Sequence, residues 1–170
     1  CRLAAELCDG VRLHSFCTPK YLREVILPNM EAAAKKAGRS LKDIDISGGG
    51  FIITGEKEED VEKQKEVIRA QIAFYGSTRT YKGVLDIHGW GETCLRLHQL
   101  AAAGRWAEMG RQISDEMLEQ FAVIGTYDQI AARIRERWGG IVNRIALVIP
   151  IRNQGDKERL KALIGELQAI

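Results

Sequence analysis

The side chains able to do chemistry in this 170-residue sequence are few. There are three histidines, His14, His88 and His98, and four cysteines, Cys1, Cys8, Cys17 and Cys94. An imidazole titrates near neutrality, so each histidine can donate a proton, accept one or bind a metal. Cys94 and His98 lie four apart, on one helical face, the spacing of a metal pair. Two further ligands are wanting, so packing is their expected role and no metal is expected. No two cysteines form a Cys-x-x-Cys pair, and free thiols in a cytoplasmic protein fit the spacing better than a disulfide framework or a zinc site. Gly48-Gly49-Gly50 invites comparison with a phosphate loop, but no Gly-Lys-Ser/Thr follows and no helix starts at Gly50. A bulge or a close backbone approach in a crowded strand is expected instead.

The elements that must position these groups follow from periodicity and punctuation. A short helix, Arg2 to Leu7, stops at Asp9-Gly10, and Val11 to Ser15 alternates like a strand. Thr18-Pro19 starts a helix that ends at Gly38, with Pro28 expected to kink or split it. Ile44 to Ile53 is a second strand. An acidic first turn at Glu56 to Asp60 opens a helix whose buried stripe is Val61, Ile68, Ile72 and Tyr75. A broken aromatic stretch follows, from Phe74 to Gly125, read as a helical insertion; its best helix runs from about Glu92 to Ala103. Thr126-Tyr-Asp-Gln129 is a capping box for a helix carrying Ile130, Ile134 and Trp138. Ile145 to Ile149 is an unbroken apolar run, expected as a strand buried on both faces, and a last helix spans about Asp156 to Ala169. Alternating strands and helices imply parallel strands with crossover helices. Three strands leave such a sheet with open edges.

Apolar residues at 45% and charged residues at 28% are ordinary for a globular chain of one domain. The net charge of +2, with cations interleaved among acids along Glu56 to Arg69, argues against a nucleic-acid partner. No apolar run approaches the roughly 18 residues of a membrane span. The sequence opens at Cys1, without Met, in a helix that lacks an N-cap. That predicts a beginning in the middle of a domain.

Several stretches taken in order carry a resemblance: Ala4 to Val11, Thr18 to Val25 with Leu27-Pro28, Tyr75 with Ser77-Thr78, His88-Gly-Trp90, Gly104 to Met109, and Phe121 to Thr126. Together they resemble the C-terminal part of the luciferase-like monooxygenase superfamily, nearest the branch that uses the deazaflavin coenzyme F-420. The resemblance implies an α/β fold, the C-terminal part of a (β/α)8 TIM barrel, with residues 1–170 as one portion and the helical insertion at about 74–125. A whole barrel of that family has roughly 300 residues, so three parallel strands and five or more helices are incomplete as a barrel alone. It also implies hydride transfer between F-420, or alternatively FMN, and a small organic substrate at the C-terminal mouth.

Barrel geometry puts functional residues at strand C-terminal ends. His14 is then the expected catalytic proton donor, or else a hydrogen-bonded rim residue. Ser15 is an expected cofactor contact and Phe16 a substrate contact. Thr54 faces the mouth or caps the next helix. Arg152 binds an anion or stays in solvent. His88 and Trp90 fold over the cofactor ring, or Trp90 anchors the insertion to the barrel. The alternative to an oxidoreductase is a non-catalytic half-barrel that self-associates to cover its open edges; a homo-oligomer is expected on that ground.

Overall fold

The computed structural model describes residues 1–151 and 153–168. Helix α1 (Arg2–Leu7) leads to strand β1 (Gly10–Arg12). Thr18 then caps α2 (Pro19–Tyr21), its hydroxyl accepting the Tyr21 N–H, and Pro19 takes the position where a missing N–H matters least. Instead of breaking at Pro28, the helix widens into one π turn, Leu22–Ile26, and resumes as α3 (Leu27–Lys36) with Pro28 in its first turn. A π turn shifts the hydrogen-bond register, which accommodates a residue without an N–H.

The predicted strand from Ile44 to Ile53 is divided into β2 (Asp45–Gly48) and β3 (Phe51–Gly55). Gly49 and Gly50 between them both have positive φ, a backbone state that glycine adopts without strain. Helix α4 (Glu58–Gly76) carries Glu58, Glu59 and Asp60 in its first turn, where they complement the helix dipole. The short helices α5 (Lys82–Asp86), α6 (Gly91–Ala102), α7 (Trp106–Met109) and α8 (Asp115–Phe121) follow. Then come β4 (Ala122–Thr126), α9 (Ile130–Trp138), β5 (Arg144–Ile145) and α10 (Gln154–Gln168).

Among the described residues every strand pair is parallel, as expected, but five short strands form two sheets instead of three forming one. β2 lies between β1 and β5, with Val11 opposite Ile46 and Ser47 opposite Arg144. β3 pairs with β4, Ile53 opposite Ile124. Residues 122–126, which the sequence placed inside a helical insertion, thus end that stretch as a strand. Two other local expectations are corrected. Helix α9 starts at Ile130 without a side-chain cap; Thr126 instead bonds to Asp128, holding that carboxylate below its usual range, so the predicted box does not close on the helix. Of the apolar run Ile145 to Ile149 only Ile145 joins the sheet, as the second residue of β5, and Val148 is 72% exposed. Among the described residues no strand flanks the other edge of β5, so nothing holds the run in a ladder or buries both its faces.

Three apolar clusters hold these layers together. One joins Phe16, Phe51 and Ile53 to the inner faces of α4, α6 and α8. The second packs Leu22, Ile52 and Val123 on Ile130, Ile134 and Trp138 of α9. The third joins Ala5, Met30 and Ala34 to Ile44 and Ile46. The division at Gly49-Gly50 therefore lets one stretch of chain serve two cores. The region from Phe74 onward is not a detached flap: Val84, Leu85, Leu97, Met117 and Phe121 are buried in the first cluster beside Phe16.

Candidate functional site

At the C-terminal end of β1 the chain makes a compact turn. The Leu13 N–H still bonds Ser47 O, at 2.8 Å, and the Cys17 N–H bonds Ser15 O, also at 2.8 Å. Between them the Phe16 N–H donates to His14 Nδ1 at 3.0 Å. With Nδ1 accepting, the neutral imidazole carries its proton on Nε2. His14 is exposed, and two rings from the insertion meet it: Tyr75 edge-on at 4.6 Å and Tyr81 stacked at 5.3 Å. Ser15 is half-buried beside them.

Phe16 points the other way. It is 2% exposed and stacks on Phe121 with centroids 4.6 Å apart. The expected substrate contact is thus a core side chain that supports the turn from beneath. Cys17 is buried as well, and burial pushes its thiol up to about 12, so it stays protonated near neutrality.

His88 and Trp90 come to the same turn from the insertion. Their rings stack at 4.6 Å with planes 12° apart. His88 Nε2 bonds Thr18 Oγ1 at 2.8 Å, and Lys20 Nζ donates to Ile87 O at 2.8 Å. Thr18, fully buried, therefore caps α2 and ties the insertion down with one hydroxyl.

Burial, then the nearby Lys20 charge, hold the His88 imidazole below its ordinary value; Glu24 and Glu116 act in the opposite sense. The unfolded chain therefore takes up this proton more readily, with an ordinary imidazole near about 6.5. Stability linked to neutral His88 is complete above that value and is lost as pH falls through the lower folded-state one. The urea midpoint is expected to drop between about pH 7 and about pH 5, and His88→Gln to flatten the drop. An equally steep profile in the variant would remove His88 as its cause.

Thr54 stands apart from this cluster. It is 1% exposed near the end of β3, its N–H bonds Gln64 Oε1 at 3.3 Å, and its Oγ1 has no hydrogen-bond partner among the described residues. It does not cap α4, whose N-cap is Lys57. It borders a cleft of about 420 Å³ with Tyr127, Asn153 and Arg159. Arg152 lies outside the described residues. A concavity of about 860 Å³ runs past Asp45, Trp138 and Arg144 and contains none of the expected site residues.

Cys94 is buried, and His98 Nδ1 lies 3.2 Å from Ser77 O, so this pair secures α6. Among the described residues no group of three or more His, Cys, Asp or Glu side chains is placed to hold a metal, and no helix is long and apolar enough to cross a membrane. The tyrosines were the residues missed. Tyr75 reads in sequence as one more buried stripe position, and only the density of aromatics between Phe74 and Tyr81 signals more.

Parallel strands wound with helices, with an exposed imidazole and ring walls at a strand C-terminal end, define part of a βα-barrel protein. The chain belongs to the luciferase-like monooxygenase family, whose model matches residues 1–144. It is 36% identical over 166 residues to an uncharacterized protein of Mycobacterium tuberculosis, covering 98% of this chain and 48% of that one. It is 31% identical over 172 residues to the 5,10-methylenetetrahydromethanopterin reductase of Archaeoglobus fulgidus, covering 97% and 49%. The solved coenzyme F-420-dependent tetrahydromethanopterin reductase of Methanopyrus kandleri superposes with a TM-score of 0.71 at 27% identity, covering 96% of this chain and 45% of that one. The chain thus spans about half the length of the curated relatives it matches.

Proposed function

We propose that this chain forms the C-terminal part of the barrel of an oxidoreductase that moves hydride between coenzyme F-420 and a small organic substrate, with FMN as the alternative cofactor. The observation that carries the proposal is the superposition, along 96% of the chain, on a solved coenzyme F-420-dependent reductase, with His14 exposed at a strand C-terminal end. The residues present fit a ring cofactor in two respects. Tyr75, Tyr81 and His14 offer aromatic rings set in a corner, and the buried Thr54 hydroxyl, without a partner among the described residues, offers a polar contact on a separate cleft.

When bound, the deazaflavin supplies the hydride chemistry. His14 holds a proton at Nε2, where it can be given to a substrate atom as charge develops. The Ser15 hydroxyl, beside it on the turn, orients what lies against the rim. Trp90, fastened through its stacked neighbour His88 to Thr18, excludes water from one flank. Arg152, which follows the last strand in sequence, is proposed for an anionic group, since barrels often bind phosphate after their last two strands. Residues 74–125 are proposed as the family insertion, acting as a wall of the mouth.

Because half a barrel should hold the cofactor weakly, the test is NMR titration of the purified chain with F-420 and, separately, FMN, up to millimolar concentration. Saturable shifts confined to residues 14–18, Thr54, Tyr75, Tyr81, His88, Trp90 and Arg152 are expected with F-420. The same shifts at lower FMN concentration would reassign the cofactor. Shifts with neither, or shifts scattered elsewhere, would sink the proposal.

A further inference from the structure

We infer, resting on the cofactor site just proposed, that Tyr75 and Tyr81 are positioning residues for His14, holding its imidazole in one orientation with Nε2 as the proton-bearing nitrogen. The backbone alone does not fix that ring. The Phe16 N–H to Nδ1 bond, at 3.0 Å, selects which nitrogen accepts, yet His14 is exposed and the turn buries neither ring face. The insertion supplies the missing support. Tyr81 lies nearly parallel to the imidazole, with planes 27° apart, and Tyr75 meets it at 79°. The two tyrosines are themselves perpendicular, at 87° and 6.4 Å, so the imidazole sits in the corner they make.

That corner is held from behind. Phe16 touches both tyrosines, at 6.2 and 5.4 Å, and is itself locked against Phe121. Tyr75 also packs on Phe51 at 6.4 Å and Phe74 at 5.4 Å. Just beyond Tyr75, the Ser77 hydroxyl donates to Phe74 O at 2.7 Å, and His98 closes on Ser77 O. The Tyr81 N–H bonds Thr78 O at 2.9 Å. Turn and corner share Phe16, so the side chain that carries the proton and the rings that aim it move as one unit. An unrestrained surface imidazole would spread over several rotamers and present Nε2 only part of the time.

The test is NMR of the purified chain with nitrogen-labelled histidine. Expected are cross-relaxation contacts from the His14 ring to both tyrosine rings, and nitrogen shifts that mark Nδ1 as unprotonated in the neutral ring. In Tyr81→Leu the His14 ring signals should move toward those of a free imidazole and the F-420 titration midpoint should rise about tenfold, the worth of a good ring pair. Tyr81→Phe should restore both, because the stacking face is kept. Absence of the ring contacts in the unaltered chain would overturn the inference, as would unmoved His14 signals or an unchanged F-420 midpoint in a folded Tyr81→Leu. The contacts and nitrogen shifts are read without cofactor. An unaltered chain that shows them but ignores both F-420 and FMN therefore overturns the proposed function and upholds the tyrosine corner.

Discussion

Gly50→Ala is expected to cost about 2–5 kcal/mol, the sum of two separate penalties. The first is conformational. Gly50 has φ of +67°, a left-handed backbone that costs an L residue about 1–2 kcal/mol. The second is steric. A Cβ there would lie 2.8 Å from Phe121 O and 3.1 Å from Trp138 Cζ2. Neither neighbour can retreat cheaply. The Phe121 carbonyl is backbone at the junction of α8 and β4, and Trp138 is a 2% exposed side chain of the second core. Forcing extra volume into such a site costs typically about 1–3 kcal/mol. Against a usual net stability of about 5–15 kcal/mol, the change removes a large share. Gly140→Ala is the matched control, because Gly140 has φ of +70° and nothing within 4 Å of the added carbon. Urea midpoints by circular dichroism should separate the two by the steric part alone, about 1–3 kcal/mol. If Gly50→Ala proves no worse than Gly140→Ala, the close approach is not what the glycine is for.

The same glycine shows what the sequence makes legible. A three-glycine run inside an apolar strand, without a following lysine, points to a bulge or a close approach; the close approach occurs at Gly50, and in place of a bulge the strand divides in two. What no periodicity reveals is that the chain changes partners there, with β1 and β5 on one side of the division and β4 on the other. β4 was missed because five residues that follow a helix directly have too few repeats to show a period of two. The Ile145 to Ile149 run failed in the opposite sense. Composition suits it for burial on both faces, but burial needs a neighbouring strand that composition cannot supply. The candidate site divides the same way. His14, Ser15 and His88 stand out by residue type and by position after a strand or beside glycines. Their mutual arrangement depends on contacts such as Thr18 with His88, separated by 70 residues, and no local pattern encodes that distance. A role for Thr54 as a helix cap also looks natural in sequence. It fails because α4 begins three residues beyond where a Thr54 cap would place its first residue, at Glu58 with Lys57 as N-cap.

Phe16→Ala is expected to lower stability by about 3–5 kcal/mol, the usual range for deleting a buried phenylalanine side chain. Phe16→Leu should cost less than about 1.5 kcal/mol if the site repacks, since most of the apolar volume remains. A ring exposed at a mouth for substrate would behave differently: its removal would weaken ligand binding at nearly constant stability. Phe16 is 2% exposed, stacked on Phe121 and flanked by both tyrosines, so its burial is already complete without a ligand. The alanine variant should therefore show a lower urea midpoint first. Any loss of F-420-induced shifts should follow only because the tyrosine corner loosens over the cavity. Leucine, which fills the cavity without stacking, separates the two effects. It should recover most of the stability while leaving the His14 ring signals displaced, because volume supports the turn but a flat ring aligns the corner. Unchanged stability in Phe16→Ala would return this side chain to the mouth and make it a ligand contact after all.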